Sequence, residues 1–495
     1  MSMAVLRRNA WAIGAAVLSL ALTVQPFRDT DVWWHLAVGH YIGAHGIPAV
    51  EPFSFVHAAN PWVGQQWLYE VTLAHVVDLG GPGLASLLMG VVASAALLLA
   101  ALSVPPERRP PGPVMAAAML LSALVAAQLL GVRGQVISLF GAALVLYLLS
   151  RWRQGSTRVL IALPVLFAIW ANIHAGFLIG LGIAVLALLV VRGVDRRQRL
   201  QLGAAIVASA LATLINPAGP GLWSYVGATF TDPTITGVVT EWQSPNFHDV
   251  LLRLFEAEAI LLVVAWVLAP RRDAFDVVLA AAAFAASLQA QRNVSLFALI
   301  AAPQLAVYGA SAWRAHRALF RPVHVSRRLK APPRWFGAAV LVVVAAATAL
   351  VVAPQLSADS AVRYEAANQP RAAADYAGIH LAGHRLYSID TWSGYLASRF
   401  PTGRVVFIYD ETAVFGNAAL KEYLEVHDLE PGWDAVLSGN GIRDAIVPAG
   451  SQEVAALHTL GWSVDCADTT SGSVVMSAPE SSVASSGPAA PPRCA

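Results

Sequence analysis

The residues best suited to chemistry sit in one run, Arg28-Asp29-Thr30-Asp31-Val32-Trp33-Trp34-His35. The run follows an apolar segment, so it stands where a chain would leave a membrane. Two carboxylates at i and i+2 are costly there unless they are solvated, paired or bound to a metal. Such carboxylates suit acid–base or metal chemistry on one reading. On the other, the tryptophans anchor the chain at the interface and the acids are merely wet.

Other polar residues stand out against an apolar background. Trp62, Trp67, Trp223 and Trp242 have faces that can cover a sugar ring, or they can form an interfacial belt. His174 lies with Asn172 in a short turn between two apolar runs, where turn capping is the first reading and substrate hydrogen bonding the second. Glu256 and Glu258 fall inside an apolar run, with Arg253 close enough along the helix to pair with one of them.

The elements that must position these residues are membrane helices. The chain is 57% hydrophobic and 13% charged, with a mean hydropathy of +0.59, well beyond soluble domains. Apolar runs at 9–27, 82–104, 113–132, 135–150, 158–172, 176–191, 202–215, 251–269, 275–290, 294–313 and 335–353 predict about eleven transmembrane helices. The first run lacks a small-residue cleavage site and is read as a retained helix. Twenty Lys and Arg fall in the alternate loops that begin with Arg7 and Arg8, against four (Arg28, Arg133, Arg253, Arg292) in the opposite loops. This bias puts the N-terminus in the cytoplasm and the acidic run outside. A net charge of +2 carries no signature of nucleic-acid binding.

Two of the outer loops, 28–81 and 216–250, are long and rich in Trp, His and acids, which marks them as functional. After residue 353 the composition changes. Helical patterns at 371–381, 392–400, 411–426 and 452–460 alternate with strand patterns at 385–389, 404–409, 443–447, 463–465 and 473–477. The expected organisation is a transmembrane domain over 1–353, an extracytoplasmic α/β domain over 354–478 and a disordered tail over 479–495. Cys466 and Cys494 would lie in an oxidising compartment that permits a bridge. Tyr387, Asp390, Tyr395, Tyr409, Asp410 and Glu411 group at the ends of the first two strands, where open α/β sheets bind ligands.

The chain resembles the GT-C superfamily of polytopic glycosyltransferases, and more distantly the catalytic subunit of oligosaccharyltransferase. The likeness is carried by Asp31-Val32-Trp33-Trp34, Gly39-His40-Tyr41-Ile42 and His45-Gly46-Ile47-Pro48. A group of bacterial membrane proteins of this superfamily is similar in Glu51-Pro52-Phe53-Ser54-Phe55 and in Trp62 to Trp67-Leu68-Tyr69-Glu70. It is also similar in Trp170-Ala171-Asn172-Ile173-His174, Glu241-Trp242-Gln243-Ser244-Pro245 and Arg292-Asn293. Scarce Lys, present only at 330 and 421, accords with a GC-rich bacterial genome.

The resemblance implies transfer of a sugar from a polyprenyl-phosphate donor to an envelope glycan, lipid or protein at the outer face of the inner (cytoplasmic) membrane. In that reaction Asp31 is the expected general base and Asp29 the second carboxylate or metal ligand. Arg28, Arg133 and Arg292 are expected at the donor phosphate, although an arginine at a helix edge also snorkels to headgroups. Trp34, His35, Glu51, Trp67, Glu70, His174, Glu241 and Trp242 complete the expected substrate contacts. Some members of the superfamily use a divalent ion, so Mg or Mn is compatible, with Glu51, Glu70 and Glu241 as further oxygen ligands. No cofactor is certain from the residues themselves, and the metal assignment stays open. Two other classes remain open: a transporter or flippase for a lipid-linked intermediate, and a noncatalytic scaffold of the same fold.

Overall fold

The computed structural model describes residues 3–56, 60–127, 129–250, 252–317, 336–479 and 492–494. Five of the basic residues assigned to the cytoplasm, Arg321, Arg327, Arg328, Lys330 and Arg334, lie outside the described residues. The chain divides into two compact units. The first comprises Met1–Gln25, Ser86–Leu222 and Thr236–Leu356, and the second Pro26–Ala85, Trp223–Ile235 and Ser357–Ala495. The sequence reading draws a boundary at 353/354, whereas the contacts group 26–85 and 223–235 with the C-terminal segment.

The first unit is helical. Each apolar run read from the sequence coincides with a helix: Met3–Thr23, Gly112–Ala127, Gly134–Arg153, Ala162–Trp170, Phe177–Val190, Arg196–Ala212, Leu252–Leu268, Ala274–Gln289, Val294–His316, Phe336–Val352 and the second half of Trp67–Leu102. Four stretches, Trp67–Leu102, Gly134–Arg153, Gln291–His316 and Ala339–Leu356, are long and apolar enough to cross a membrane on their own. Lipid tails give helices no hydrophobic drive to associate, so close packing of small side chains must hold them together. Ala123, Ala142, Ala143, Ala298, Ala301 and Ala302 are accordingly fully buried. Large apolar side chains such as Val165, Leu189, Val267 and Leu350 are exposed instead, the reverse of a soluble core. The chain is therefore a polytopic α-helical membrane protein with a small sheet domain near its C-terminus. The expected ion pair of Arg253 with Glu256 or Glu258 is not formed. Arg253 Nε donates to the Phe247 carbonyl at 3.1 Å, and the buried Glu258 is met by the Ser122 hydroxyl.

In the second unit, the helix Asp31–His45 packs on the first turns of Trp67–Leu102. A Cβ at Gly39 would lie 2.1 Å from the Glu70 carbonyl oxygen, so only glycine permits this approach. The helix breaks at Gly80–Gly81, where Gly81 has φ +71, and restarts at Pro82, whose fixed φ suits a first helical position. Strands β1 (Leu386–Ser388), β2 (Asp444–Pro448), β3 (Ser463–Asp468) and β4 (Ser473–Ser477) form one sheet in the order β1-β2-β4-β3. The β1/β2 pair is parallel and the other two are antiparallel, with Leu386 opposite Asp444 and Asp444 opposite Ser477.

The predicted strand at 404–409 does not form. Arg404 has φ +46, and Val406 makes only single bridges, one to Leu386 and one to Ser54 of the first loop. The loop holds this segment through Ser54 Oγ, which donates to the Phe407 carbonyl at 2.5 Å, and through Phe55 N–H to the Val406 carbonyl at 3.2 Å. Short helices at Ala358–Asn368 and Trp433–Gly439 add to those expected. Of the tail, residues 480–491 and 495 lie outside the described residues. Residues 492–494 lie along β3, joined by the Cys466–Cys494 disulfide and by Cys494 N–H to the Ala467 carbonyl at 3.1 Å.

Candidate active site

The second unit gathers six acids around the first loop. Asp31 opens the helix Asp31–His45, and its side chain is hydrogen-bonded to that of Asp410, which directly precedes Glu411 and the helix Thr412–His427. Two carboxyl groups can share a hydrogen bond only if one keeps a proton. Burial first, then the charges of Asp31 and Asp390, push Asp410 well above the usual carboxylate range, so Asp410 holds it. Thr30 Oγ1 donates to Asp410 Oδ2 at 3.1 Å. Asp410 is thus the carboxyl of the pair that burial drives toward its protonated form.

Asp29 accepts the Asp31 N–H at 3.1 Å and so shapes the helix entry. Trp33 and Trp34 are buried within protein. Trp33 lies edge-on to Tyr395 at 5.0 Å, and Trp34 stacks on His35 at 3.7 Å and approaches Tyr409 at 5.9 Å. His35 Nδ1 faces Glu70 Oε1 at 3.3 Å. Burial, then the neighbouring Glu411, raise Glu70. Glu51 takes Phe53 N–H at 2.6 Å, Ser54 N–H at 2.7 Å and Tyr409 O–H at 3.0 Å, so its oxygens organise the loop. Trp67 starts the next helix half-buried, and Arg28 is exposed, with its charge near Tyr364.

Tyr225 and Gln65 were not anticipated. Tyr225 O–H donates to Glu411, and Gln65 Nε2 donates to Tyr225 Oη at 3.1 Å. Only the length of the 216–250 loop pointed toward Tyr225. Burial raises Glu411 from 4.5 to about 6 against the lowering effect of Tyr225 and Gln65. The folded chain then binds this proton more tightly than the unfolded chain. The linked stability is fully present below about pH 4.5 and is lost as pH rises through about 6, an effect of about 2 kcal/mol. Glu411→Gln, which cannot ionise, is expected to flatten the fall in melting temperature between pH 4.5 and 7. Identical slopes for variant and wild type would remove Glu411 from this titration.

A second cluster lies in the helical unit and unites five residues singled out from the sequence. Arg133 pairs with Glu241. The Arg292 guanidinium stands 4.6 Å from the Trp242 ring centre. The 240–243 segment is pinned by Gln291, whose N–H reaches the Gln243 carbonyl and whose Nε2 reaches the Thr240 carbonyl, each at 2.9 Å. His174 Nδ1 accepts Gly176 N–H at 3.0 Å and lies 2.8 Å from Ser138 Oγ. Burial and the charges of Arg292 and Arg133 push His174 down to about 3, so it is a neutral imidazole carrying its proton on Nε2. Asn172 caps its turn by donating to the Ala168 and Ile215 carbonyls at 2.8 and 2.7 Å.

Among the described residues no three His, Cys, Asp or Glu side chains stand close enough to hold a metal ion. The chemistry below routes no step through a metal.

No family model matches the sequence, and no curated relative does. Solved structures do match its fold. The archaeal oligosaccharyltransferase AglB from Archaeoglobus fulgidus, in complex with an inhibitory peptide and a dolichol-phosphate, superposes with a TM-score of 0.54 at 12% identity over 90% of this chain and 70% of that one. ArnT from Cupriavidus metallidurans bound to undecaprenyl phosphate gives 0.52 at 16% identity over 99% of this chain and 100% of its own. The arabinofuranosyltransferase AftD from Mycobacteria gives 0.52 at 17% identity, over 97% of this chain but 40% of AftD. All three are GT-C enzymes, and together with the apolar helices and the acidic first loop they identify this chain as a multi-pass membrane protein of the GT-C fold.

Proposed function

We propose that the chain transfers a sugar from a polyprenyl-phosphate donor to an envelope glycan, lipid or protein at the extracytoplasmic face of the cytoplasmic membrane, with the N-terminus inside. The observation that carries this reading is the hydrogen-bonded carboxyl pair Asp31–Asp410 at the start of the helix that carries Trp34, whose ring approaches Tyr409. Structures of the same fold bind dolichol-phosphate and undecaprenyl phosphate, which supports the donor class.

In the proposed reaction the acceptor hydroxyl gives its proton to Asp31, and its oxygen forms the new bond to the anomeric carbon. The bond from that carbon to the phosphate oxygen breaks, and polyprenyl phosphate leaves with the electron pair. Arg292 and Arg133 belong to the donor phosphate in this reading, because a fixed guanidinium stabilises the charge that grows there. Spheroplasts expressing the protein should glycosylate acceptor added outside, and sealed inside-out vesicles should do so only after permeabilisation. Transfer confined to the opposite face would overturn the orientation, and transfer in neither preparation would overturn the activity.

A further inference from the structure

The start of the helix Gly134–Arg153 reaches three parts of the charged cluster in the helical unit. Arg133, just ahead of the helix, pairs with Glu241. Gln135 Nε2 donates to the Arg292 carbonyl at 2.8 Å. Ser138 is buried, with its Oγ 2.8 Å from His174 Nδ1, and the transfer reaction above leaves it unused.

Counting hydrogens fixes the direction of that last contact. The Trp170 indole N–H can only donate, and it donates to Ser138 Oγ at 2.8 Å. Gly176 N–H, also only a donor, meets His174 Nδ1 at 3.0 Å, so Nδ1 offers its lone pair and carries no proton. The hydrogen between Ser138 and His174 is therefore the serine's, and the neutral ring keeps its own on Nε2. The approach of Gly176 depends on glycine, since a Cβ there would lie 2.3 Å from Ser138 Oγ and 2.9 Å from His174 Nδ1. Trp170 is seated as firmly, its ring lying in notches at Gly141 and Gly180 where a Cβ would come within 2.8 and 2.6 Å.

The His174 ring is partly exposed, and its Nε2 makes no hydrogen bond among the described residues. The charges of Arg292 and Arg133 act on the ring and keep it uncharged. A free N–H donor in the field of two guanidinium groups suits an oxyanion, which can accept from all three. Arg133, Arg292 and Glu241 sum to one positive charge, and a neutral histidine adds a hydrogen bond without adding to that charge.

We propose that Ser138, oriented by Trp170, is a positioning residue that holds His174 as a neutral Nε2–H donor for an oxyanion bound at Arg292 and Arg133. That the oxyanion is the donor phosphate rests on the transferase reading, whereas the tautomer does not.

The test uses the full chain in nanodiscs with ring ¹⁵N-labelled histidine, the His174 signal being the one that His174→Gln removes. At pH 7 that signal should be the neutral Nε2–H tautomer, and Ser138→Ala should shift its Nδ1 resonance because the hydroxyl donor is lost. Binding is measured with two probes, undecaprenyl phosphate and undecaprenol, which share a chain and differ in the oxyanion. His174→Gln places an amide N–H near the Nε2 position and should stay within about threefold of the wild-type phosphate affinity. The shorter amide of His174→Asn does not reach, so affinity should fall about tenfold, and Ser138→Ala should lower it severalfold. Undecaprenol affinity should be unchanged throughout, which separates the oxyanion contact from folding. An imidazolium or Nδ1–H signal in the wild type, full phosphate affinity in both His174→Asn and Ser138→Ala, or equal loss of both probes in these variants would overturn the proposal. The expected tautomer and variant pattern in a chain that transfers no sugar would leave the proposal standing and remove the transferase reading alone.

Discussion

Asp31→Asn is expected to lower the transfer rate by about 10²–10⁴-fold, while Asp410→Asn keeps the rate within roughly tenfold of wild type. The asymmetry follows from which carboxyl holds the shared proton. Burial and the Asp31 charge keep Asp410 protonated, so it acts as a neutral donor, and an asparagine amide donates from nearly the same place. Asp31 receives that hydrogen bond and is the group left to accept a proton from the substrate, which an amide cannot do. The loss at Asp31 corresponds to about 3–6 kcal/mol of barrier lowering. Asp410→Ala removes the donor altogether and should fall between the two. Initial rates at saturating donor decide the matter. Equal damage from the two Asn variants would show that Asp410 works in its ionised form, and the division of roles would fail.

The second large effect concerns the donor. Arg292→Lys should weaken binding of a polyprenyl-phosphate sugar by about tenfold or more, with little change in melting temperature. Lysine keeps the charge but loses both the planar stack on Trp242 and the two-pronged contact with phosphate oxygens. Arg133→Lys should do less to donor affinity, because the Arg133 charge is already shared with Glu241. An arginine that only snorkels to headgroups tolerates the change to lysine. Unchanged donor affinity in Arg292→Lys would therefore remove the phosphate role and leave Arg292 as an anchor of its helix.

The helices of the first unit were legible because lipid exposure writes itself into sequence as long apolar runs, and every run read from the sequence coincides with a helix. The alternating elements after residue 353 were legible for a similar local reason, the switch between periods of 2 and 3.6. The segment 404–409 misled because its composition suits a strand, while Val406 makes only isolated bridges to Leu386 and to Ser54 of the first loop. Site residues were legible one at a time and not as partners. Asp31 stood out, and so did Asp410, yet nothing local joins them. Thr30 and Asp410, also hydrogen-bonded, are 380 positions apart. The same holds for Arg133 and Glu241, an ion pair between residues 108 positions apart. Glu51, read as a substrate contact, accepts from Phe53 and Ser54 of its own loop and from the distant Tyr409.

The central claim is that Asp31 drives transfer from a polyprenyl-phosphate donor, and the most direct measurement is single-turnover transfer by the purified chain in nanodiscs. Radiolabelled polyprenyl-phosphate pentoses and hexoses would be offered with envelope acceptor, and free polyprenyl phosphate and labelled acceptor counted together. The account predicts that one donor yields both products in equal amounts, only when acceptor is present, and that Asp31→Asn forms both about 10²–10⁴-fold more slowly while still binding donor. Equal product from wild type and Asp31→Asn, or none from any donor with a wild-type chain that binds donor, would contradict it.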